Sequence, residues 1–231
     1  MGASDRCRPA SGCDGGGYVG RVDVPVAVEN EPRRPSTYRR SRGSPRGEAR
    51  RRDLLARVTE DVQAHGLADF SLRRAARAAG TTHKVLLYYF EDADDLLAHA
   101  VAELRARRIR GGLTAASDLS DGSLVERVRA LWPVLIGAED APLEQAMGLA
   151  MYDPRRYAAL AAGASEDYLR ALREICPPGW TERRKQEVSE LILAALRGLL
   201  LARRTSGDQL HPDAGLAALE RALIRETGAD R

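Results

Sequence analysis

The 231-residue sequence predicts an all-α protein, and three observations lead there. Alanine, leucine and arginine dominate while aromatics make up only 5 %, a composition that favours helix and supplies few of the residues a sandwich or barrel needs. Beyond about residue 48, apolar residues recur at intervals of three and four. Capping residues, glycines and prolines stand where those stripes begin and end. The length is enough to bury a real core, as one large domain or as a small one beside a medium one.

Residues 1–46 are rich in Gly, Pro, Ser and Arg without a sustained period, so a disordered tail is expected for want of apolar surface to offset ordering entropy. Its arginines from Arg33, continuing to Arg52, form a candidate arm for DNA phosphates or a minor groove. The glycines at 15–17 lack the strand before and capped helix after that a phosphate loop needs. The first helix is read in ARRRDLLARVTEDVQAHGL, with Leu54, Leu55, Val58 and Val62 on one stripe and His65 and Gly66 ending it. Ser71 to Phe90 then reads as two short helices hinged at Gly80. Leu72, Ala75, Ala76 and Ala79 recur at helical spacing, Ser71 caps the first helix, and Thr81 or Thr82 caps the second. That is helix-turn-helix grammar, and it leaves Thr82, His83 and Lys84 outward at the start of the second helix.

Asp92 can cap a helix carrying Leu96, Leu97, Val101 and Leu104 as far as about Arg110, where Gly111 and Gly112 are expected to break it. Ser123 and Glu126 form a capping box for a helix through Ile136, with Pro133 placed to kink it. Pro142 opens a helix to about Tyr152, Asp153 and Pro154 signal another start, and a stretch from Ser165 ends at CPPG, 176–179. Helices from Thr181 to Arg204 and from Pro212 to Thr227 close the chain. Leu191, Ala195 and Leu199 on the first, with Leu223 on the second, are expected to face a second copy.

Charge divides the chain. Residues 1–90 hold 17 basic and 10 acidic side chains, and the remainder 19 and 23. A basic front end suits a polyanion. Arginine outnumbers lysine 34 to 2, for which codon bias is an alternative source, but codon bias does not produce the asymmetry. Cys7, Cys13 and Cys176 are an odd count without a paired framework, as in a reducing cytoplasm, and no metal or other cofactor is expected because further ligands are scattered. The most apolar stretch, LILAALRGLLLA from Leu191, is short and interrupted by Arg197, so no membrane span is expected and a cytoplasmic protein is. No nucleophile with a neighbouring base and no paired acids in an apolar setting appear, and therefore no catalytic residues are assigned.

From Ala49 to Leu97 the sequence resembles the N-terminal DNA-binding domain of the tetracycline-repressor (TetR) family of bacterial regulators. The resemblance rests on HGLADFSL before the hairpin, RAARAAGTT through its turn, and LLYYFEDADDLL, which is similar to the family's L-Y-x-H/Y-F-x-x-K-x-x-L-L run. It implies a three-helix DNA-binding domain at 47–91 and a helical ligand-binding and dimerisation domain at 92–231. It also implies a homodimeric regulator, most often a repressor, that leaves its double-stranded operator when an unidentified small-molecule effector binds. Base edges would be read by Thr82, His83 and Lys84 with Arg73 beside them, and phosphates held by Ser71, Arg74 and Tyr88. Trp132, Leu135, Met147, Met151, Tyr152 and Tyr157 fall on helices that, by the resemblance, surround the effector; core packing is their other reading. Leu87 and Ala93 stand where the family usually has a Tyr and a Lys on phosphates, and Val85 where a small or polar residue is common. Two other functions stay open: a constitutive DNA-binding protein with a filled core, and a helical ligand-binding protein that no longer reads DNA.

Overall fold

The structure, a computed structural model, describes residues 44–119, 122–137, 141–205 and 212–228, all within one compact unit. The tail at 1–43, the front of the basic arm, Cys7 and Cys13 lie outside the described residues. Every regular element among the described residues is an α-helix.

Helix α1, Pro45–His65, starts a few residues earlier than its apolar stripe suggests, because Ser44 caps it through Gly47 N–H at 3.1 Å and Pro45 fits its first turn. It buries Leu54, Val58 and Val62 and ends at Gly66. Helices α2, Leu72–Ala78, and α3, His83–Tyr89, form the hairpin. Gly80 adopts φ 61°, and Thr81 N–H reaches Ala76 O at 2.9 Å while Gly80 N–H reaches Arg77 O. These two bonds make a Schellman turn that satisfies the last carbonyls of α2 and that a side chain at Gly80 would strain. Ala75 and Ala76 are small enough to let α2 lie close under α1 and α3.

Helix α4, Ala93–Ser117, is capped by Asp92 through Asp95 N–H at 2.8 Å and runs unbroken through Gly111 and Gly112, against expectation. Two glycines cost roughly 2 kcal/mol of helix propensity. Packing offsets this: a Cβ on Gly112 would stand 3.2 Å from Leu131, so glycine lets α4 and α5 approach closely. Helix α5, Leu124–Leu135, opens with the expected capping box and contains Pro133 without ending there. Then come α6, Ala141–Tyr152; α7, Pro154–Ala161, capped by Asp153; α8, Ala164–Ile175; α9, Glu182–Thr205; and α10, Pro212–Gly228.

Two clusters of buried side chains organise these helices. The first joins Leu54, Val58, Val62, Leu86 and Phe90 of the hairpin region to Leu96, Leu97, Ala100 and Leu104 of α4 and to Ala146 and Leu160. The second joins Val128 and Trp132 to Leu172, Ile192, Leu196, Leu219 and Leu223. Helix α4 contributes to both, a shared beam about 38 Å long.

Candidate nucleic-acid interface and ligand cavity

At the start of α3, Thr82, His83 and Lys84 are exposed in succession, and Leu86 beneath them is fully buried. Thr82 precedes the helix without capping it, so its hydroxyl is not committed to the backbone. Arg73 and Arg77 are exposed four apart on α2, with no ion pair among the described residues. Ser71 is exposed and caps α2 by accepting from Arg74 N–H at 3.3 Å. Tyr88 is half-buried with its ring edge-on to Tyr89.

Arg74 departs from the expected geometry of a phosphate contact. Its guanidinium is turned into the α1–α2 turn, with Nε on Asp61 Oδ2 at 2.7 Å, Nη1 on Ala68 O at 2.8 Å and Nη2 on Gly66 O at 2.9 Å. The side chain is 14 % exposed and braces the hairpin instead of facing outward. On the other side of that turn, Leu67 N–H donates to Gln145 Oε1 of α6 at 2.9 Å.

Helices α4, α5, α6, α8 and α9 enclose a cavity of about 380 Å³. Of the residues expected there, Leu135, Met147 and Met151 line it, Met151 at its rim with 72 % exposure. The other three do not. Trp132 is buried in the second core because its ring completes the packing between α5 and the C-terminal helices. Tyr152 is 87 % exposed at the end of α6, and Tyr157 packs on the first core with Arg156 over its ring.

The polar groups of the cavity were not anticipated. Arg108 donates through Nη2 to Leu135 O at 2.7 Å. Glu144 pairs through Oε2 with Arg204 Nε at 2.6 Å, while its Oε1 is buried without a hydrogen bond. Arg197 donates through Nη1 to Ser165 Oγ at 3.0 Å and lies 5.5 Å from the Tyr168 ring. Burial, then the nearby charges of Arg108 and Arg105, lower its basicity against an opposing effect of Tyr168. The sequence signal was present, since Arg197 interrupts the most apolar stretch of the chain, and a cation placed there is costly unless something uses it.

No protein-family model and no curated protein matches the chain. Solved structures do. A protein of Pseudomonas aeruginosa PAO1 assigned as a transcriptional regulator superposes with a TM-score of 0.56 at 19 % identity, covering 82 % of this chain and 94 % of that one. The multidrug binding protein EbrR, in complex with imidazole, gives 0.58 at 21 % identity over 74 % and 93 %. A TetR transcriptional regulator from Legionella pneumophila gives 0.54 at 16 % over 75 % and 95 %. The fold is that of the TetR-family regulators.

On this TetR-family fold, Leu87 is 43 % exposed on the hairpin helix and Ala93 is half-buried at the first turn of α4, neither offering a polar group. The C-terminal pair of helices also departs from expectation. Leu223 is fully buried within its own chain, and Leu199 packs over Gly215 so closely that a Cβ there would require the Leu199 side chain to move. Ala195 is half-buried against the second core. Leu191, 46 % exposed, is the one of the four that faces outward, and Leu201 and Ile224, at 58 % and 56 %, join it. The misplacement has a simple cause: apolar residues occur all round α9, and spacing alone does not say which stripe the same chain covers.

No helix of the described residues is long and apolar enough to cross a membrane.

Proposed function

We propose that the chain is a sequence-specific DNA-binding regulator of transcription, a repressor rather than an enzyme, acting in the bacterial cytoplasm as a homodimer that a small-molecule effector releases from its operator. The observation that carries this reading is the pairing of an outward polar tip on α3 with a mostly apolar cavity of about 380 Å³ on a shared frame. A constitutive DNA-binding protein would need no such space, and a volume of this size suits a small organic molecule. In this reading residues 47–91 read DNA and residues 92–231 bind the effector and the second copy, with α4 common to both.

Thr82, His83, Lys84 and Arg73 present donors and acceptors to base edges, and Ser71 and Tyr88 present hydroxyls to phosphates. Arg77, exposed beside Arg73, takes the anchoring task that Arg74 does not. Two such hairpins in a two-fold dimer read half-sites about 34 to 36 Å apart, so a small change in their spacing spoils the register. Helix α6 is the part able to transmit it: Glu144, Met147, Gly148 and Met151 line the cavity while Gln145 on another face holds Leu67 N–H. An effector shifts the equilibrium only if it binds the free dimer better than the DNA-bound one.

The test is to incubate purified protein with fragments of the source genome, recover and sequence what is bound, and footprint the enriched sites. Enrichment of an inverted repeat supports the reading. Uniform recovery of all fragments, or of none, overturns it.

A further inference from the structure

Among its described residues the lining of the cavity carries more positive than negative charge: Arg108, Arg197 and Arg204 against Glu144. Glu144 and Arg204 pair at 2.6 Å, and that pair neutralises itself. Arg197 has no carboxylate partner among the described residues, and its Nη2 is shut off from solvent without donating to any acceptor. A guanidinium in this setting has lost hydration and gained one neutral hydroxyl, Ser165 Oγ, and an aromatic face in return. Such a charge is costly unless an anion completes it. The remaining walls are aliphatic, with Leu113, Leu131, Met147, Leu193 and Leu196 among them. A half-buried Arg at one point of an apolar chamber matches a molecule with an anionic head and an apolar body.

We infer that the cavity takes an amphipathic organic anion, its carboxylate pairing with the Arg197 guanidinium and its hydrocarbon part lying against the leucine and methionine walls of α4, α5, α6 and α9. This rests on the effector-binding reading above and names the ligand class for that site. A guanidinium suits a carboxylate because its N–H groups lie in one plane and can meet both oxygens. A cationic ligand is disfavoured on the same geometry, since the one acid among the described lining residues is already held by Arg204 and three guanidiniums line the space.

The experiment is calorimetric titration of the full chain, stripped of bound lipid, with decanoate, decanol and decyltrimethylammonium, which share one tail and differ in head group. Decanoate is expected to bind about tenfold or more tightly than decanol, as a charge-assisted hydrogen bond warrants, and the ammonium least. Arg197→Gln keeps an N–H donor but removes the charge and shortens the side chain, and should erase the preference of carboxylate over alcohol by lowering decanoate affinity. Arg197→Lys should retain part of the preference, and circular dichroism melts of both variants establish that they fold. Equal binding of decanoate and decanol to the parent, tighter binding of the ammonium, an unchanged preference in folded Arg197→Gln, or no binding of any probe would each overturn the inference. None of these measurements involves DNA. Failure of genomic-fragment enrichment with a carboxylate preference intact would therefore sink the regulator reading alone, and the reverse result would sink the ligand class alone.

Discussion

Replacing Gln145 by Ala should weaken the link between cavity and DNA without destroying either site. The bond from Leu67 N–H to Gln145 Oε1, 2.9 Å long, joins α6 to the turn that Arg74 braces from its other side through Gly66 O. Gly66 has φ 71°, and a Cβ on it would lie 2.7 Å from the same Oε1, so the turn and the side chain are in close apposition. Gln145 is exposed, which lets water replace it, and the bond is worth about 0.5 to 1 kcal/mol net. Coupling between an effector and DNA is typically about 1 to 3 kcal/mol, so loss of this bond should lower the ligand-induced change in DNA affinity by about 2- to 5-fold. The assay is titration of an enriched DNA fragment with protein, with and without a cavity ligand, by fluorescence anisotropy. Gln145→Glu keeps an acceptor on Leu67 N–H and should behave like the parent. If Gln145→Ala retained the full ligand effect, the route through α6 would be refuted; if it lost DNA affinity without ligand, the residue would be bracing the hairpin and nothing more.

Arg74→Ala should destabilise the chain by roughly 2 to 4 kcal/mol, since it strands Asp61 and two carbonyls in a partly buried turn, whereas Arg73→Ala should leave stability within about 0.5 kcal/mol and reduce the salt dependence of DNA binding; denaturant melts and titrations at two salt concentrations separate them. His83→Ala and Lys84→Ala should each cost about 1 to 3 kcal/mol on an enriched site and relax base preference there, and unchanged preference in the double variant would show that another face reads the bases. The Arg129 fork holds Glu220 at 2.7 and 2.6 Å, fastening α10 to α5, and this hydrogen bond keeps the Glu220 carboxyl below its ordinary range while burial opposes it. A depressed value in the folded chain means stability that is present above the unfolded value of about 4.3 and lost as pH falls through the folded one. Acid unfolding of Glu220→Gln should accordingly lose this component of its pH dependence below about pH 4, and identical acid profiles would count against the fork as a clasp.

The elements most legible from sequence were those whose determinants lie within a few residues of each other. Ser123 and Glu126 close their capping box, Asp92 and Asp153 cap where expected, and Gly80 takes the left-handed turn that a hairpin needs. Contacts spanning long separations were not legible. Gly111 and Gly112 read as a break because helix propensity is local, while the reason the helix persists is Leu131 on the next helix. Arg74 is engaged by Asp61, 13 residues back around a turn, and Gln145 meets Leu67 across 78 residues. Among the cavity groups, Met147 and Leu135 were legible because apolar residues announce themselves, but the half-buried Arg197 and Glu144 resembled surface charges in the sequence.

In the homodimer proposed above, the second copy and the ligand would share a surface. Along α9 the exposed residues Leu191, Ala194, Gly198 and Leu201 follow one another at intervals of three and four, the spacing of a seam between two helices. A Cβ on Gly198 would meet nothing within 4 Å, so another backbone can come close there. Gly198 and Leu201 also line the cavity, whose rim at Met151 is open to solvent. A partner helix seated on this stripe would therefore cover part of the opening, and the ligand would bind a chamber that the monomer leaves incomplete. Linkage then requires that whatever factor dimerisation adds to ligand affinity, the ligand adds to dimer affinity. Leu191→Glu is the cleaner perturbation, because Leu191 is exposed on the seam and does not line the cavity. Sedimentation should show the parent as a dimer that decanoate tightens, and the variant as a monomer whose decanoate affinity is about 5-fold or more weaker, the lower end of ordinary coupling. Equal affinity in monomer and dimer would mean that each chain closes its own cavity, and a monomeric parent would remove the dimer from the mechanism.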